Sequence, residues 1–400
     1  MKIAFTADGQ IDSRSRMEEF VRVHDFMAED AQRRGCTAFL HGGDVYERRS
    51  TSEERAAVRS WLSKVTRYAD VAIVGGNHEA PGEVDELTFM GDQDRRSVVT
   101  TERPLMFIER KSGVAVAMLP WPRRSSLAAW VGKPLGREEL NAVGLDALRS
   151  ILRGFAQEWK DWKGPKILLA HAMVRGSRQG PDQPIMPGQD FELGLEDLAL
   201  AEAHVNLLGH IHMPQEWDVE PFPCNHPPEE CSCDPKSTPT IYAGSPRRTA
   251  YASGELEPKG YVVLEFDGPR LVKWERVPTP ATPLYLVEAA FQPGVGFVWA
   301  GSGVNQDFTG AEVRFRYEVD ADNRDEAKRY EAGLPTTFGF ASEIKIEPIV
   351  RPRSTARLAA VSGDKPLAEK IALVWDRDGV SAERRPSLLA RLAELEGGGA

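Results

Sequence analysis

Five short polar motifs, each placed directly after an apolar stretch, constrain the fold of this chain more than any other feature. In chain order they are Asp8-Gly9-Gln10, Gly43-Asp44, Gly76-Asn77-His78-Glu79, Ala170-His171 and Gly209-His210-Ile211-His212. The preceding stretches, KIAFT, TAFLH, VAIV, KILLA and VNLL, have the length and apolar character of buried strands. Strand ends of one direction gather at one edge of an α/β sheet, so these motifs are expected to meet in space.

The order of the predicted elements indicates a layered α/β fold. Two strand–helix units come first, and further apolar strands follow at VAVAML (114–119), TIYA (240–243) and YVVLEF (261–266). Early alternation of strand and helix, followed by consecutive strands, predicts two packed β-sheets flanked by helices. A chain of 400 residues is too long for one ordinary core, so an accessory domain is also expected.

Shifts in composition predict the domain boundaries. Residues 1–276 form the first domain, and the segment VPTPATP (277–283), with three prolines in seven residues, predicts a linker. Residues 284–350 predict a small α+β domain, because EVRFRYEV (312–319) and SEIKIEPIV (342–350) alternate like half-buried strands. Residues 351–400 predict a tail with two short amphipathic helices, KPLAEKIALVWDRDG and RPSLLARLAELE.

Composition excludes several classes of protein. A hydrophobic share of 41% and a charged share of 28% are those of a soluble globular protein. No apolar run reaches the length of a membrane span and no leading signal precedes the first strand, so a cytoplasmic protein without membrane association is expected. A net charge of −10 excludes a general basic field for nucleic acid, so DNA binding would need local basic patches, metal ions or a partner.

The side chains of the motifs form a mixed set of metal ligands. Carboxylate oxygens come from Asp8 and Asp44, an amide oxygen from Asn77, and imidazole nitrogens from His171, His210 and His212. This set lacks thiolate and suits Mn, Fe, Zn or Ni better than Ca. A carboxylate such as Asp44 can bridge two ions, and two ions about 3.5–4 Å apart can bind one phosphate and generate a nucleophile. Taken singly, each motif is more often a turn or a helix cap, so the prediction depends on their order and strand context.

The ordered set resembles the calcineurin-like metallophosphoesterase superfamily, whose pattern is D-x-H, G-D, G-N-H-[DE], H and G-H-x-H. The resemblance covers residues 1–270 and implies the four-layer metallophosphoesterase fold with two divalent metal ions, of which Mn is expected. It implies that Asp8, Gln10, Asp44 and His212 hold one ion, and that Asp44, Asn77, His171 and His210 hold the other. It also implies that His78 is the catalytic histidine, which contacts the scissile phosphate and aids the leaving oxygen, with Glu79 orienting it.

Gln10 is the one departure from that pattern, which has histidine at this place. Glutamine offers a carbonyl oxygen, which is a neutral lone-pair donor like an imidazole nitrogen. It is a weaker and harder ligand, so it should shift the metal preference from Zn towards Mn or Mg. The alternative is a site that has lost its first ion.

A narrower resemblance is to the SbcD-type DNA double-strand-break repair nucleases of bacteria and phages. It is carried by MLPWPRR (118–124), LAHAMVRGS (169–177), a G-S-P segment followed by K-G-Y within 241–266, and the small α+β unit. It implies a Mn-dependent DNA exonuclease and single-strand endonuclease that works as a homodimer with an SbcC-type coiled-coil ABC ATPase. It further implies that residues 284–350 are a capping domain that helps shape the DNA groove, and that the tail helices dock on the ATPase. Ordinary packing of these helices on the domain is the alternative.

Contacts to DNA are expected at phosphates, and the candidate residues are Arg123, Arg124, Arg247 and Arg248. The apolar stripe around His24 could serve the dimer, or it could face the core. Two other functions stay open. One is a phosphodiesterase or phosphatase for small nucleotides or phosphoproteins, which residues 284–400 argue against. The other is a catalytically weak scaffold that binds DNA ends, which Gln10 would favour.

A cysteine-rich loop, CNHPPEECSC (224–233), holds three of the four cysteines of the chain. Cys224, His226, Cys231 and Cys233 could close a tetrahedral structural zinc site with three sulfurs and one nitrogen. A flexible loop with reduced thiols is the alternative. The remaining cysteine, Cys36, is predicted to be a small buried hydrophobe.

Overall fold

The computed structural model of the protein describes residues 1–89, 91, 96–109, 113–125, 136–180, 191–219, 238–252, 256–299, 307–351, 367–389 and 391. The predicted zinc ligands Cys224, His226, Cys231 and Cys233 lie outside the described residues, and the zinc site stays a prediction. Cys36 is only 3% exposed, as predicted.

The apolar stretches identified in the sequence all fall in or overlap strands. In chain order the strands are β1 (Lys2–Thr6), β2 (Cys36–His41), β3 (Asp70–Val74), β4 (Val98–Thr101), β5 (Leu105–Glu109), β6 (Val114–Leu119), β7 (Lys166–His171), β8 (Met173–Val174), β9 (Glu192–Leu193), β10 (Val205–Gly209), β11 (Gln215–Val219), β12 (Thr238–Tyr242), β13 (Gly260–Asp267), β14 (Arg270–Pro278), β15 (Leu284–Gln292), β16 (Gly296–Trp299), β17 (Glu312–Asp320) and β18 (Glu343–Arg351). The helices are α1 (Met17–Arg33), α2 (Ser52–Val65), α3 (Arg137–Glu158), α4 (Leu195–Leu198), α5 (Arg324–Glu331), α6 (Leu334–Thr337) and α7 (Leu367–Arg377).

Two six-stranded sheets carry the five polar motifs. The first sheet has the order β14-β13-β1-β2-β3-β4, and the second has the order β11-β12-β10-β7-β6-β5. Strands β1, β2, β3 and β4 are parallel neighbours in the first sheet, and β6, β7, β10 and β12 are parallel neighbours in the second. Because parallel neighbours end at the same edge of a sheet, the motifs after β1, β2 and β3 lie together, as do those after β7 and β10.

The two sheets pack face to face between layers of helices. Strand alternation divides β1, so that Ile3 and Phe5 face the second sheet in the central core while Ala4 lies in the core beneath α1 and α2. A third core, which includes Leu152 and Phe155 of α3, covers the outer face of the second sheet. Each such fully buried large side chain contributes roughly 1.5–3 kcal/mol to folding. The predicted four-layer α/β fold is confirmed.

The stripe on α1 faces inwards. His24 is fully buried, and its ring stacks on Phe20 at 3.7 Å between centroids and meets the edge of Trp61 at 5.2 Å. The His24 Nδ1 lies 2.9 Å from the Phe20 carbonyl oxygen. Of the two interpretations of this stripe, the structure agrees with the core-facing one.

Residue contacts divide the chain into two compact units. The first comprises Met1–Val287, Gly301–Phe315 and Pro335–Lys345, and the second comprises Glu288–Ala300, Arg316–Leu334 and Ile346–Ala400. Strands β15, β16, β17 and β18 form a four-stranded sheet with the order β16-β15-β17-β18. Strand β14 continues to Pro278, into the segment predicted as a linker, and the predicted boundaries stay predictions. None of the helices in the described ranges combines the length and hydropathy that a membrane span requires.

Candidate metal centre

Four predicted ligands converge where β2, β3, β7 and β10 end. One donor atom each from Asp44, His171 and His210 lies within 4.8 Å of the other two, and all three residues are buried. The Asn77 side-chain oxygen Oδ1 lies 3.0 Å from His171 Nε2 and 2.9 Å from His210 Nδ1. These are the four residues that the sequence predicted for the second ion.

The hydrogen bonding of His171 fits a cation at this place. Its Nδ1 lies 2.6 Å from the Gly42 carbonyl oxygen, which can only accept, so Nδ1–H donates. In the neutral ring Nε2 is then a lone pair, yet it faces Asn77 Oδ1 at 3.0 Å and Asp44 Oδ2 at 3.3 Å. A lone pair facing two acceptors needs a proton or a metal ion between them. Histidine ligands of metals commonly donate their other N–H to a backbone carbonyl in this way.

The backbone around the centre is closely packed and locally strained. A Cβ on Gly76 would lie 2.0 Å from Asp44 Oδ1, so only glycine leaves room for that carboxylate. Six non-glycine residues in the described ranges have positive φ, and four of them are the predicted ligands Asp8, Gln10, Asp44 and His210. Such conformations are uncommon in side-chain-bearing residues and concentrate at functional sites, where the surrounding structure holds them.

The residues predicted for the first ion are buried beside this cluster. Asp8 is fully buried, and its Oδ1 accepts a hydrogen bond of 2.9 Å from the backbone N–H of His210. Gln10 and His212 are 2% and 5% exposed. Gln10 Nε2 lies 3.5 Å from His78 Nε2, which places the amide within reach of the predicted catalytic ring.

His78, the predicted catalytic histidine, is partly exposed. Its side chain is 32% exposed, and its Nε2 lies 3.9 Å from Asp44 Oδ2. Its Nδ1–H donates to the Glu47 carbonyl oxygen at 2.7 Å, which fixes the ring and leaves Nε2 on the side of the centre. The sequence paired Glu79 with His78, and the structure differs. The Glu79 carboxylate instead accepts backbone N–H groups from Gly76 at 2.8 Å and from Val45.

Burial and neighbouring charges move several pKa values in the protein alone. Burial would lower the pKa of His171, but the carboxylate of Asp44 raises it to about 9. Burial would raise the pKa of Asp44, yet His171 and His78 hold it well below its usual range. Burial, helped by the charge of Asp44, raises the pKa of Glu79 to about 8. Burial also raises the pKa of Asp8. Of these buried carboxyl groups, Asp44 is the one held ionised in the protein alone, whereas the raised pKa values of Glu79 and Asp8 oppose their ionisation. A cation at the centre would favour the ionised forms.

Trp121 borders the centre and was not singled out from the sequence. Its ring lies 4.6 Å from that of His210 and 5.8 Å from that of His171, measured between centroids. Its backbone N–H donates to the Gly75 carbonyl oxygen at 2.9 Å, which joins the MLPWPRR segment to the loop after β3. The prolines on either side of Trp121, in LPWP, were the sequence signal for a rigid loop at this place.

The four candidate arginines have different surroundings. Arg247 is only 3% exposed, and its guanidinium donates to the carbonyl oxygens of Gly9 and Gln10. This burial contradicts the predicted phosphate contact of Arg247. Arg123 donates to the carbonyl oxygens of Gly76 at 3.3 Å and Glu79 at 2.5 Å.

The other two candidates are placed differently. The guanidinium of Arg124 lies 4.7 Å from the centre of the Phe191 ring. That of Arg248 donates to the Glu257 carbonyl oxygen. Their contacts with DNA, like that of Arg123, stay predictions.

Comparison with known proteins gives one family. The sequence model of the calcineurin-like phosphoesterases matches residues 1–214. No curated protein sequence matches the chain.

Three solved structures are similar to this chain at low identity. GAP50, the anchor in the inner membrane complex of Plasmodium, has a TM-score of 0.40 at 12% identity over 70% of this chain and 89% of its own. The protein TT1561 of Thermus thermophilus has a TM-score of 0.35 at 13% identity over 61% and 89%. A dimetal phosphatase from Danio rerio has a TM-score of 0.38 at 12% identity over 70% and 97%. Similarities of this size say nothing about the substrate.

Proposed function

Because the chain belongs to the calcineurin-like phosphoesterase family of metal-dependent phosphoester hydrolases, we propose that it is a Mn-dependent DNA nuclease of SbcD type. The reaction is exonuclease cleavage and single-strand endonuclease cleavage of DNA phosphodiesters. The observation that carries the proposal is the convergence of Asp44, Asn77, His171 and His210, with donor atoms aimed at one another. This donor set of carboxylate, amide and imidazole fits Mn.

When bound, two divalent ions would activate water and neutralise the charge that develops on the phosphate. Asp44 is the carboxylate that would be shared by the two ions, and its Oδ2 lies 3.3 Å from Nε2 of the predicted ligand His171 and 3.9 Å from Nε2 of His78. His78 holds a proton on Nδ1 for the Glu47 carbonyl and turns Nε2 towards the centre, where it can act on the leaving oxygen.

Two features support DNA as the substrate and an ATPase as the partner. The G-S-P and K-G-Y segment packs against the candidate centre, since Lys259 donates to the His212 carbonyl oxygen at 3.1 Å. Helix α7 is amphipathic, and its first residue, Leu367, is 49% exposed. In this proposal α7 contributes to docking on the coiled-coil ABC ATPase. Because the net charge of the chain is −10, the partner would contribute much of the DNA binding.

The decisive experiment uses labelled duplex and single-stranded DNA with Mn, Mg or chelator, with and without the ATPase. His78→Ala should lower kcat by roughly 10²–10⁴-fold while the protein still binds Mn. His204→Gln is the matched control, because His204 accepts the Lys166 N–H at 3.1 Å as a purely structural contact. If Mn-dependent cleavage is absent, or is unchanged in His78→Ala, the nuclease proposal is wrong.

The same preparation separates the other candidate functions. Turnover of a chromogenic phosphodiester without DNA cleavage would favour an enzyme for small nucleotides or phosphoproteins. Binding of DNA ends or of the ATPase without any Mn-dependent hydrolysis would favour a scaffold.

A further inference from the structure

Residues 244–252 and 256–260, distant in sequence from the first motif, include three side chains that contact the loops carrying the predicted first-ion ligands. We propose that Ser245, Arg247 and Lys259, here called the carbonyl brace, are positioning residues that hold Asp8, Gln10 and His212 in place for the first metal ion. The inference rests on the metal-binding part of the proposed function and is independent of the substrate.

Arg247 forms the first half of the carbonyl brace. Its Nε donates to the Gly9 carbonyl oxygen at 3.0 Å, and its Nη2 donates to the Gln10 carbonyl oxygen. A guanidinium keeps its charge in proteins, and burying it is costly unless it is well bonded. Its carbonyl oxygen in turn accepts from the Ser245 hydroxyl at 2.8 Å. A buried cation is thus engaged with the turn that joins Asp8 to Gln10.

Lys259 and Ser245 form the second half. The Lys259 ammonium donates to the His212 carbonyl oxygen at 3.1 Å and to the Ser245 hydroxyl at 2.9 Å. The Ser245 backbone N–H donates to the same His212 carbonyl at 3.1 Å. Gly244 permits this approach, because it has a φ of +71° and a Cβ there would lie 2.8 Å from the His212 carbonyl oxygen.

The contacts of the carbonyl brace fall on Gly9, Gln10 and His212, within the two motifs assigned to the first ion. Asp8 and Gln10 both have positive φ, at 56° and 46°, so the turn needs outside support to keep this shape. Since the donors engage carbonyl oxygens, the carboxylate of Asp8 is left for the ion. A neutral amide ligand binds an ion less strongly than imidazole would, so its exact placement matters more.

The experiment titrates the full chain with MnCl2 alone and counts bound Mn by calorimetry and by the electron paramagnetic resonance of free Mn. Wild type is expected to bind two ions. Arg247→Met should weaken one of the two by tenfold or more and leave the other within threefold. Arg247→Lys should restore part of the loss, and Lys259→Met should weaken the same ion by about threefold to tenfold.

Arg34→Met is the matched control for general loss of stability. Arg34 also makes two side-chain hydrogen bonds, to Asp30 at 2.5 Å and Glu275 at 2.6 Å, at the end of α1. It should lower the melting temperature and keep both ions.

The proposal is overturned if folded Arg247→Met binds both ions as wild type does, or if Arg34→Met loses one ion equally. Should Arg247→Met fail to fold, unchanged binding by Arg247→Lys and Lys259→Met together would overturn it as well. Wild type binding fewer than two ions would also overturn it. Wild type that binds two ions but cleaves no DNA would defeat the nuclease proposal and leave the carbonyl brace standing.

Discussion

The two halves of the candidate centre are held together in different ways. In the second half the predicted ligands contact one another, since Asn77 Oδ1 lies about equally far from His171 Nε2 and His210 Nδ1, at 3.0 and 2.9 Å. In the first half, Gln10 and His212 are held through backbone carbonyls by Arg247 and Lys259. One half is thus organised by its own side chains and the other by a remote segment.

This difference follows from the elements that carry the ligands. His171 is the last residue of β7, and Asp44 and His210 follow closely after β2 and β10, in the parallel centres of the two sheets. The ends of buried parallel strands are rigid, so these ligands need little further support. Gln10 lies four residues beyond the end of β1, farther from its strand than Asp44 and His210 lie from theirs. The candidate centre therefore joins one half built on rigid strand ends to another half whose geometry depends on tertiary contacts.

Asp44→Asn should have the largest effect, because this carboxylate is the one predicted to serve both halves. The amide keeps the size of the side chain and an oxygen for the His78 N–H, which Asp44 Oδ1 now accepts at 2.9 Å. It removes the negative charge that attracts both ions. We expect activity to fall by roughly 10³-fold or more, with weaker binding of both Mn ions.

Activity assays and Mn titration check this expectation, with circular dichroism to show that the fold is intact. If Asp44→Asn lost only one ion, Asp44 would belong to one half alone. Activity within about tenfold of wild type would exclude a bridging role.

Gln10→His tests the difference between the two halves by changing a predicted ligand of the first half. Histidine is enriched at positive φ, so it should accept the φ of 46° at this position with little loss of stability. Imidazole is a softer ligand than an amide oxygen, so the ratio of Zn to Mn affinity at one ion should rise by about tenfold. Competition titrations of the two metals measure the ratio.

Gln10→Ala is the companion variant, since it removes the ligand without replacing it. It should weaken one ion for both metals by about 10–100-fold. If neither variant altered metal binding, Gln10 would not be a ligand, and the first half would have to bind its ion through Asp8, Asp44 and His212 alone.

The second half was predictable from the sequence because each of its residues lies at, or shortly after, the end of a strand that the apolar pattern identifies. Five apolar stretches, each with a polar motif after it, specify strands and strand ends, and parallel pairing brings the ends together. The four-layer fold follows from the same order of elements. The sequence did not indicate which other segments of the chain would contact the loops that carry the motifs.

Arg247 and Glu47 illustrate that limit. Arg247 was predicted to contact DNA phosphate, but its guanidinium donates to the carbonyl of Gln10, 237 positions away in the chain. Nothing in a single sequence marks a buried guanidinium, because arginine is usually exposed. Glu47 accepts from His78 through its backbone oxygen, which every residue type has, and its carboxylate lies 3.6 Å from the same Nδ1. Nothing in the sequence pairs this glutamate with His78.

Arg123→Met should have the smallest effect on Mn affinity. It tests most directly whether the two halves differ in their dependence on arginine contacts. Arg123 contacts the loop of the second half as Arg247 contacts that of the first, by donating to the carbonyl oxygens of Gly76 and Glu79. That loop has other support, since the Glu79 carboxylate accepts the Gly76 N–H at 2.8 Å and Asp44 accepts the His78 N–H at 2.9 Å.

We therefore expect Arg123→Met to change Mn affinity by less than about threefold, or ~0.7 kcal/mol, against tenfold or more for Arg247→Met. The same MnCl2 titration measures both variants side by side. A loss in Arg123→Met as large as that in Arg247→Met would mean that the two halves depend equally on outside arginines. The rigidity of the strand ends would then not be what holds the second half together.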